Sequence, residues 1–314
     1  MISRLNRSNL DVSVVILTKN SSRTIQRCLD SVVRETPREI VAVDALSTDS
    51  TLTILRRYGV RLVVATIDSL GYSRKLGVQA AKGNFVMFVD SDIVLVKGCV
   101  KIMRRELQKH GWVGIHARLL SDQDASYWQR AEDQVFRRDL NRVGPKTRIG
   151  TGAAMFCGDI LRRYSFDVNL KRSGEDRDLC LRLAKDGYRV GVSSASAYHL
   201  RRSDFPAFAK RLFNYGLGDA VLDAKHGVMR ERFFGRVQTM ASQMLRTSIR
   251  ENFALVPYWF VSGAIQFLGF LVGLSRIRES YPYRANYLGR VAYPRYPSAL
   301  RRLKTSNSSS EVGR

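Results

Sequence analysis

Two sets of carboxylates stand out by type and spacing. Asp90 and Asp92 flank Ser91 at the end of the apolar run Phe85-Val86-Met87-Phe88-Val89. In an extended segment alternate side chains share a face, so both acids point into one cleft at the strand's carboxyl end. Open α/β sheets bind ligands at that edge. Like charges this close repel unless a hard divalent cation, Mg²⁺ or Mn²⁺, lies between them with a diphosphate on its far side. A solvated Asp-Ser-Asp turn is the competing reading. The second set is Glu175, Asp176 and Asp178, ahead of Leu179, Leu183 and Ala184 at helical spacing. Acids in a helix's first turn are stabilised by its dipole, by a few tenths to about 1 kcal/mol, so capping alone explains the pattern. A carboxylate kept ionised there also meets the requirement for a general base.

The elements that must position these acids alternate in type. Val12–Leu17, Glu39–Val43, Arg61–Ala65 and Phe85–Val89 read as strands. Ile25, Leu29, Val32 and Val33 recur at helical spacing, Ser47-Thr48-Asp49 caps a helix carrying Leu52 and Leu55, and Leu70–Lys82 reads as a third helix. This alternation predicts an α/β fold with a doubly wound, mostly parallel sheet. No Gly-x-Gly-x-x-Gly follows the first strand, which argues against a dinucleotide site.

Val12-Ser13-Val14-Val15-Ile16-Leu17-Thr18-Lys19-Asn20, Ile40–Asp44 and Ser47-Thr48-Asp49-Ser50-Thr51 resemble the start of a family 2 glycosyltransferase. Gly71–Gly77, Ala81-Lys82-Gly83 and Val89-Asp90-Ser91-Asp92 continue the series in order, and the resemblance covers roughly residues 11–200. It implies a GT-A fold, a nucleotide-diphosphate sugar donor, a divalent metal (Mg²⁺ or Mn²⁺) and transfer with inversion. By the same resemblance Thr18, Asn20, Asp44, Arg74, Lys75 and Asp90 contact the donor. Asp90, Asp92 and His199 hold the metal, and Asp176, beside Glu175, is the general base. The family often has two adjacent acids after the second strand; here Ala45 follows Asp44, leaving one carboxylate for the base or ribose.

Beyond the second acidic set, Val100–Lys109 reads as an amphipathic helix, with Trp112–His116 and Tyr188–Val192 as strands. Residues 121–148 are polar and carry Tyr127 and Trp128, which suggests a mobile segment meeting the acceptor. Gly and Ala in Arg148–Phe156 allow backbone to approach a ligand or simply to pack. Arg201 and Arg202 suit a phosphate clamp or the edge of a basic membrane-facing surface, and Trp128 is an acceptor candidate.

The formal net charge is +24, with the excess densest in the last third. Such a chain suits a polyanion: nucleic acid, an anionic membrane surface or phosphorylated substrates. Four scattered cysteines form no Cys-x-x-Cys pair, which fits a reducing compartment. The first apolar run is too short for a signal peptide.

The expected domains are a GT-A unit over 1–200, basic amphipathic helices at the membrane interface over 201–252, and a transmembrane or re-entrant segment over 253–275. A basic tail with a disordered end follows over 276–314. Phe253–Leu274 is charge-free, long enough for a hydrocarbon core of about 30 Å, with Gly269-x-x-x-Gly273 permitting close helix packing. Together these features predict a metal-dependent inverting enzyme at the cell membrane, its catalytic domain on the cytoplasmic face. The acceptor would be a polyprenyl phosphate, a lipid-linked glycan or another glycolipid. A polysaccharide-elongating enzyme is the alternative within the class. A nucleic-acid-binding protein fits the charge, but no helix-turn-helix, zinc-finger or stacking signature accompanies it, and no nucleic-acid partner is expected. A catalytically dead membrane scaffold is disfavoured by the intact Asp90, Asp92, Glu175 and Asp176.

Overall fold

The structure, a computed structural model, describes residues 10–121, 126–139, 141–200, 204–228 and 253–277. Strand and helix alternate through Val12–Thr18 (β1), Ile25–Arg34 (α1), Glu39–Asp44 (β2), Thr51–Arg57 (α2), Arg61–Val64 (β3), Leu70–Ala80 (α3) and Phe85–Asp90 (β4). The four strands lie side by side in the order β3-β2-β1-β4, all parallel. β1, β2 and β4 are largely buried, with helices on both faces of the sheet, while β3 at the edge keeps Arg61 and Val64 exposed. Val12, Val14 and Ile16, with Met87 and Val89, pack against Cys28, Leu29 and Val32 of α1. The alternate residues Val15, Val41, Val43, Val86 and Phe88 pack with Val78 of α3 on the other side.

The chain then forms Ile93–Leu95 (β5), Cys99–His110 (α4), Gly114–Ser121 (β6), Tyr127–Asp139 (α5), Gly144–Lys146 (β7) and Ala153–Cys157 (β8). Gly158–Tyr164 (α6), Glu175–Lys185 (α7) and Val190–His199 (β9) follow. β8 enters antiparallel beside β4, and the sheet continues β6-β9-β5, with β7 pairing β9. The doubly wound reading therefore holds for the first half, and a mixed extension completes the floor of the site. Ala153 and Ala154 allow close approach because they sit in β8, opposite Val89 and Phe88.

One expectation changes. The polar stretch after Ser121 contains a helix, α5, where a mobile segment was expected. Its arginines and acids mask a face formed by Tyr127, Trp128 and Ala131, at spacings of three and four. That face packs on Phe205–Lys225 (α8) and on the apolar helix Val256–Ser275 (α9). Trp128 stacks on Phe208 at 5.3 Å, and the Tyr127 hydroxyl donates to the Ala254 carbonyl at 2.5 Å. The α8 stripe of Phe208, Leu212 and Tyr215 turns inward onto this small core. Among the described residues Phe253–Ser275 is the one helix long and apolar enough to cross a membrane. Its Gly269 and Gly273 serve a contact within the chain: a Cβ at Gly269 would strike the Phe213 carbonyl, and one at Gly216 the Gln266 carbonyl. Residues 229–252 of the expected amphipathic region, the tail beyond residue 277, Arg201 and Arg202 lie outside the described residues.

A buried charge fastens α8 to α7. Asp178 of α7 is fully buried. It accepts from Arg182 Nε at 2.8 Å, pairs with Lys225 Nζ at 2.7 Å and lies 2.9 Å from His226 Nε2. Burial alone would raise its carboxyl, but His226, Lys225 and Arg182 outweigh that and hold it well below the usual range. A group depressed in the folded state stabilises at pH above its unfolded pKa of about 3.9 and loses that stabilisation as pH falls through the folded value. Asp178→Asn, which strands these cations, is expected to cost about 3–5 kcal/mol. Urea unfolding should show that loss at pH 7 and a much smaller difference from wild type in strong acid.

Candidate active site

The carboxyl ends of β1, β2 and β4 meet the start of α7 around a cleft of ≈ 700 Å³. Thr18, Arg74, Asp90, Asp92, Glu175, Asp176 and His199 all line it. Residues scattered over more than 180 positions are thus brought to one cavity.

Arg74 organises this cavity. Its guanidinium is buried, 2.5 Å from Glu175 Oε1 through Nη1 and 3.6 Å from Asp90 Oδ1 through Nη2. Burial pushes the Glu175 carboxyl up to about 7, against the opposing charge of Arg74, with Asp176 adding to the rise. Burial likewise raises Asp90, opposed by Arg74 and reinforced by the like charge of Asp92. Glu175 is therefore a partner that holds Arg74, while its neighbour Asp176 opens into the cleft. The Asp176 carboxylate accepts from the Arg177 backbone N–H at 2.7 Å, which sets its direction.

Asp92 is tied to β9: His199 Nε2 lies 3.3 Å from Asp92 Oδ2, and Leu200 N–H donates to the Asp92 carbonyl at 2.7 Å. Ser91 Oγ meets Ser21 Oγ at 2.8 Å, so the turn after β4 is stitched to the loop after β1. Gly152 leaves room at the pair, since a Cβ there would lie 3.2 Å from Asp90 Oδ2. Among the described residues no group of three or more His, Cys, Asp or Glu stands ready to hold a metal. The donor set still fits Mg²⁺ or Mn²⁺, which are commonly held by one or two carboxylates and completed by substrate phosphates.

The other sequence candidates divide. Asp44 is buried and accepts from Thr18 Oγ1 at 2.9 Å, Ser47 N at 2.8 Å and Ser47 Oγ at 2.6 Å. Asn20, at φ 49°, accepts from the Thr48 N–H at 2.8 Å through Oδ1 and donates its own backbone N–H to Ser47 Oγ at 2.8 Å. Both shape the loops after β1 and β2, and Val43 and Ala45 line the cleft beside them. Lys75 is half-buried on α3, and Trp128 is held in the aromatic cluster, neither among the lining residues. Sequence reasoning missed His116 at the cleft, a lone histidine inside an apolar strand. Burial holds its imidazole down at about 4, so it is neutral. The Nε2 of His116 and the Oδ2 of Asp176 both face Gly150, 3.7 and 3.8 Å from where its Cβ would be. Tyr258, Trp259, Ser262 and Gln266 of the apolar helix also line the cleft, which no local sequence signal announced.

The model of the family described as glycosyl transferase family 2 matches residues 13–168. The chain belongs to glycosyltransferase family 2. Over 94 residues it is 40% identical to the poly(ribitol-phosphate) beta-glucosyltransferase of Bacillus spizizenii, covering 26% of this chain and 15% of that one. Over 207 residues it is 33% identical to the poly(ribitol-phosphate) beta-N-acetylglucosaminyltransferase TarS of Staphylococcus aureus, covering 60% and 35%. The matches thus span well under half the length of both relatives. The solved structure of S. aureus TarS 1-349 in complex with UDP-GlcNAc shares the fold, with a TM-score of 0.53 at 18% identity over 86% of this chain and 91% of that one. GalNAc-T7 with UDP, GalNAc and Mn²⁺ superposes with a TM-score of 0.50 at 16% identity, over 68% of this chain and 50% of that one. The family 2 assignment agrees with the α/β sheet and with the acids at its carboxyl edge.

Arg74→Met should strand Glu175 in the interior at a cost of about 3–5 kcal/mol, while Arg74→Met with Glu175→Met should recover much of it. Chemical denaturation of the single and double variants checks both values.

Proposed function

We propose that this chain is an inverting glycosyltransferase that moves a sugar from a nucleotide-diphosphate sugar to a hydroxyl of a polymeric or lipid-linked acceptor. The observation that carries the reading is the sharing of one cleft by Asp176 and the Asp90, Asp92 pair. Family membership and relatives that act on poly(ribitol phosphate) support it.

In this mechanism the acceptor oxygen bonds to the anomeric carbon as the bond from that carbon to the diphosphate breaks. The bonding pair leaves with the nucleoside diphosphate, and the hydroxyl proton passes to the Asp176 carboxylate. Arg74 fixes Glu175 and Asp90 so that the base and the pair of acids keep their places. Asp92, Asp90 and His199 would hold Mg²⁺ or Mn²⁺, which supplies positive charge at the leaving diphosphate. Arg148, which also lines the cleft, adds fixed positive charge there. His116, neutral, has a ring nitrogen able to hydrogen-bond a sugar hydroxyl.

Proton abstraction is worth about 10²–10⁴-fold. Asp176→Asn should therefore lower turnover of a UDP-sugar panel by at least about 10²-fold with donor affinity little changed, because the proton moves in the transition state. Asp92→Asn, and excess EDTA on the wild type, should each abolish transfer. Full activity in EDTA would remove the metal from this account.

We further propose that the protein works at the membrane face. Phe260, Leu268 and Leu271 are exposed apolar side chains on α9, with Phe253 exposed in the turn just ahead of it, in a chain of formal charge +24. With its inner face in the cleft, α9 is better placed to lie in the plane of the bilayer surface than to cross it. The protein should then sediment with anionic vesicles at low salt. Phe260→Ser with Leu268→Ser should abolish that sedimentation, and wild-type protein that stays in the supernatant would exclude the seating.

A further inference from the structure

The charge-free run ending in Leu274 contains two polar aliphatic side chains, Ser262 and Gln266. With Tyr258 they stand at i, i+4 and i+8, on one stripe of α9. That stripe lines the cleft rather than the outer surface. Beside it, Trp259 also lines the cleft, and its indole N–H is buried with no hydrogen-bond acceptor among the described residues. Gln266 Nε2 donates to Asp219 Oδ2 at 3.1 Å, and Asp219 in turn pairs with Arg177, the residue that follows the candidate base. The apolar helix is thus wired to the start of α7 through two side chains.

We infer that the inner stripe of α9 is the acceptor subsite, built for a hydroxyl-rich chain such as an alditol or sugar. This rests on the glycosyltransferase reading above and deepens it. Three observations fix the ligand's chemistry. Aromatic walls with a few placed polar groups are what orient a small amphipathic ligand. An apolar lipid chain would leave the indole N–H of Trp259 buried without a partner. A phosphate monoester would meet Asp133 and Asp219, which line the same cleft, while Arg177 and Arg211 are already paired with Asp219 and Glu132. A polyol hydroxyl accepts from the indole N–H and donates to a carboxylate, so it matches both kinds of group. Lys19 and Arg172, which pair with Asp68 just ahead of α3, line the same cleft.

The test is direct binding, with no turnover. A soluble, uncharged alditol-terminated oligosaccharide (the oligomer) is titrated calorimetrically into full-length protein holding UDP and Mn²⁺, and a short-chain polyprenyl phosphate in detergent is titrated in parallel. The oligomer should bind the wild type. Trp259→Phe, which keeps the ring and loses the N–H, should weaken it about threefold to tenfold, and Trp259→Ala more. UDP affinity should stay within about twofold in both variants, which separates a subsite from a folding defect. Oligomer affinity unchanged in Trp259→Phe, binding of the polyprenyl phosphate alone, or binding of neither probe would overturn the subsite. Loss of the glycosyltransferase reading itself would show differently, as failure of the wild type to bind UDP or any nucleotide sugar.

Discussion

A buried arginine between two acids is the constraint on which the rest of this site depends. Arg74 comes from α3, Asp90 from the end of β4 and Glu175 from the first turn of α7, a hundred positions further on. A guanidinium removed from water must have such partners, because an isolated buried charge is prohibitively costly. The pairing therefore dictates where α7 begins relative to the sheet edge. Asp176, next in the chain, is carried to the cleft as a consequence. Asp92 is placed by the same strand end, through its links to His199 and to Ser91 and Ser21.

The C-terminal helices form the other half of the cavity rather than an appendage to it. Lys225 and His226 at the end of α8 converge on Asp178, which lies two residues from the candidate base. Small residues at Gly216, Gly269 and Gly273 let α8 and α9 approach until backbone meets backbone. The small core of Phe208, Leu212, Leu255 and Tyr258 then seals the junction with α5. One helix consequently has two faces with different tasks: an inner stripe that closes the cleft and an outer stripe of exposed apolar side chains. Charge-free composition describes both equally, so composition could not separate them.

Much of the first half was legible in the chain. Apolar strands with a period of two, covered on both sides, leave a strong local signal, and so do acids placed just past a strand or in a helix's first turn. Asp90, Asp92, Arg74, Glu175, Asp176 and His199 all line the expected cleft. Asp44 and Asn20 lie at the expected strand ends, where their side chains also hydrogen-bond the loops after β1 and β2. The α5 helix was hidden because charged residues outnumber its three apolar contacts along the sequence. His116 was hidden because a single histidine in an apolar strand carries no pattern.

What the amino-acid sequence determined by itself was the parallel half of the sheet, the family and the identity of the acids, since strand periodicity and short motifs are local properties. What only the tertiary structure decided was the partnership of those acids and the role of the last helix. Whether Glu175 is a base or a clamp depends on a guanidinium a hundred residues away. Whether Phe253–Ser275 faces lipid, protein or a ligand depends on which stripe of the helix meets α8. Both are long-range packing outcomes, and no window of the chain contains them.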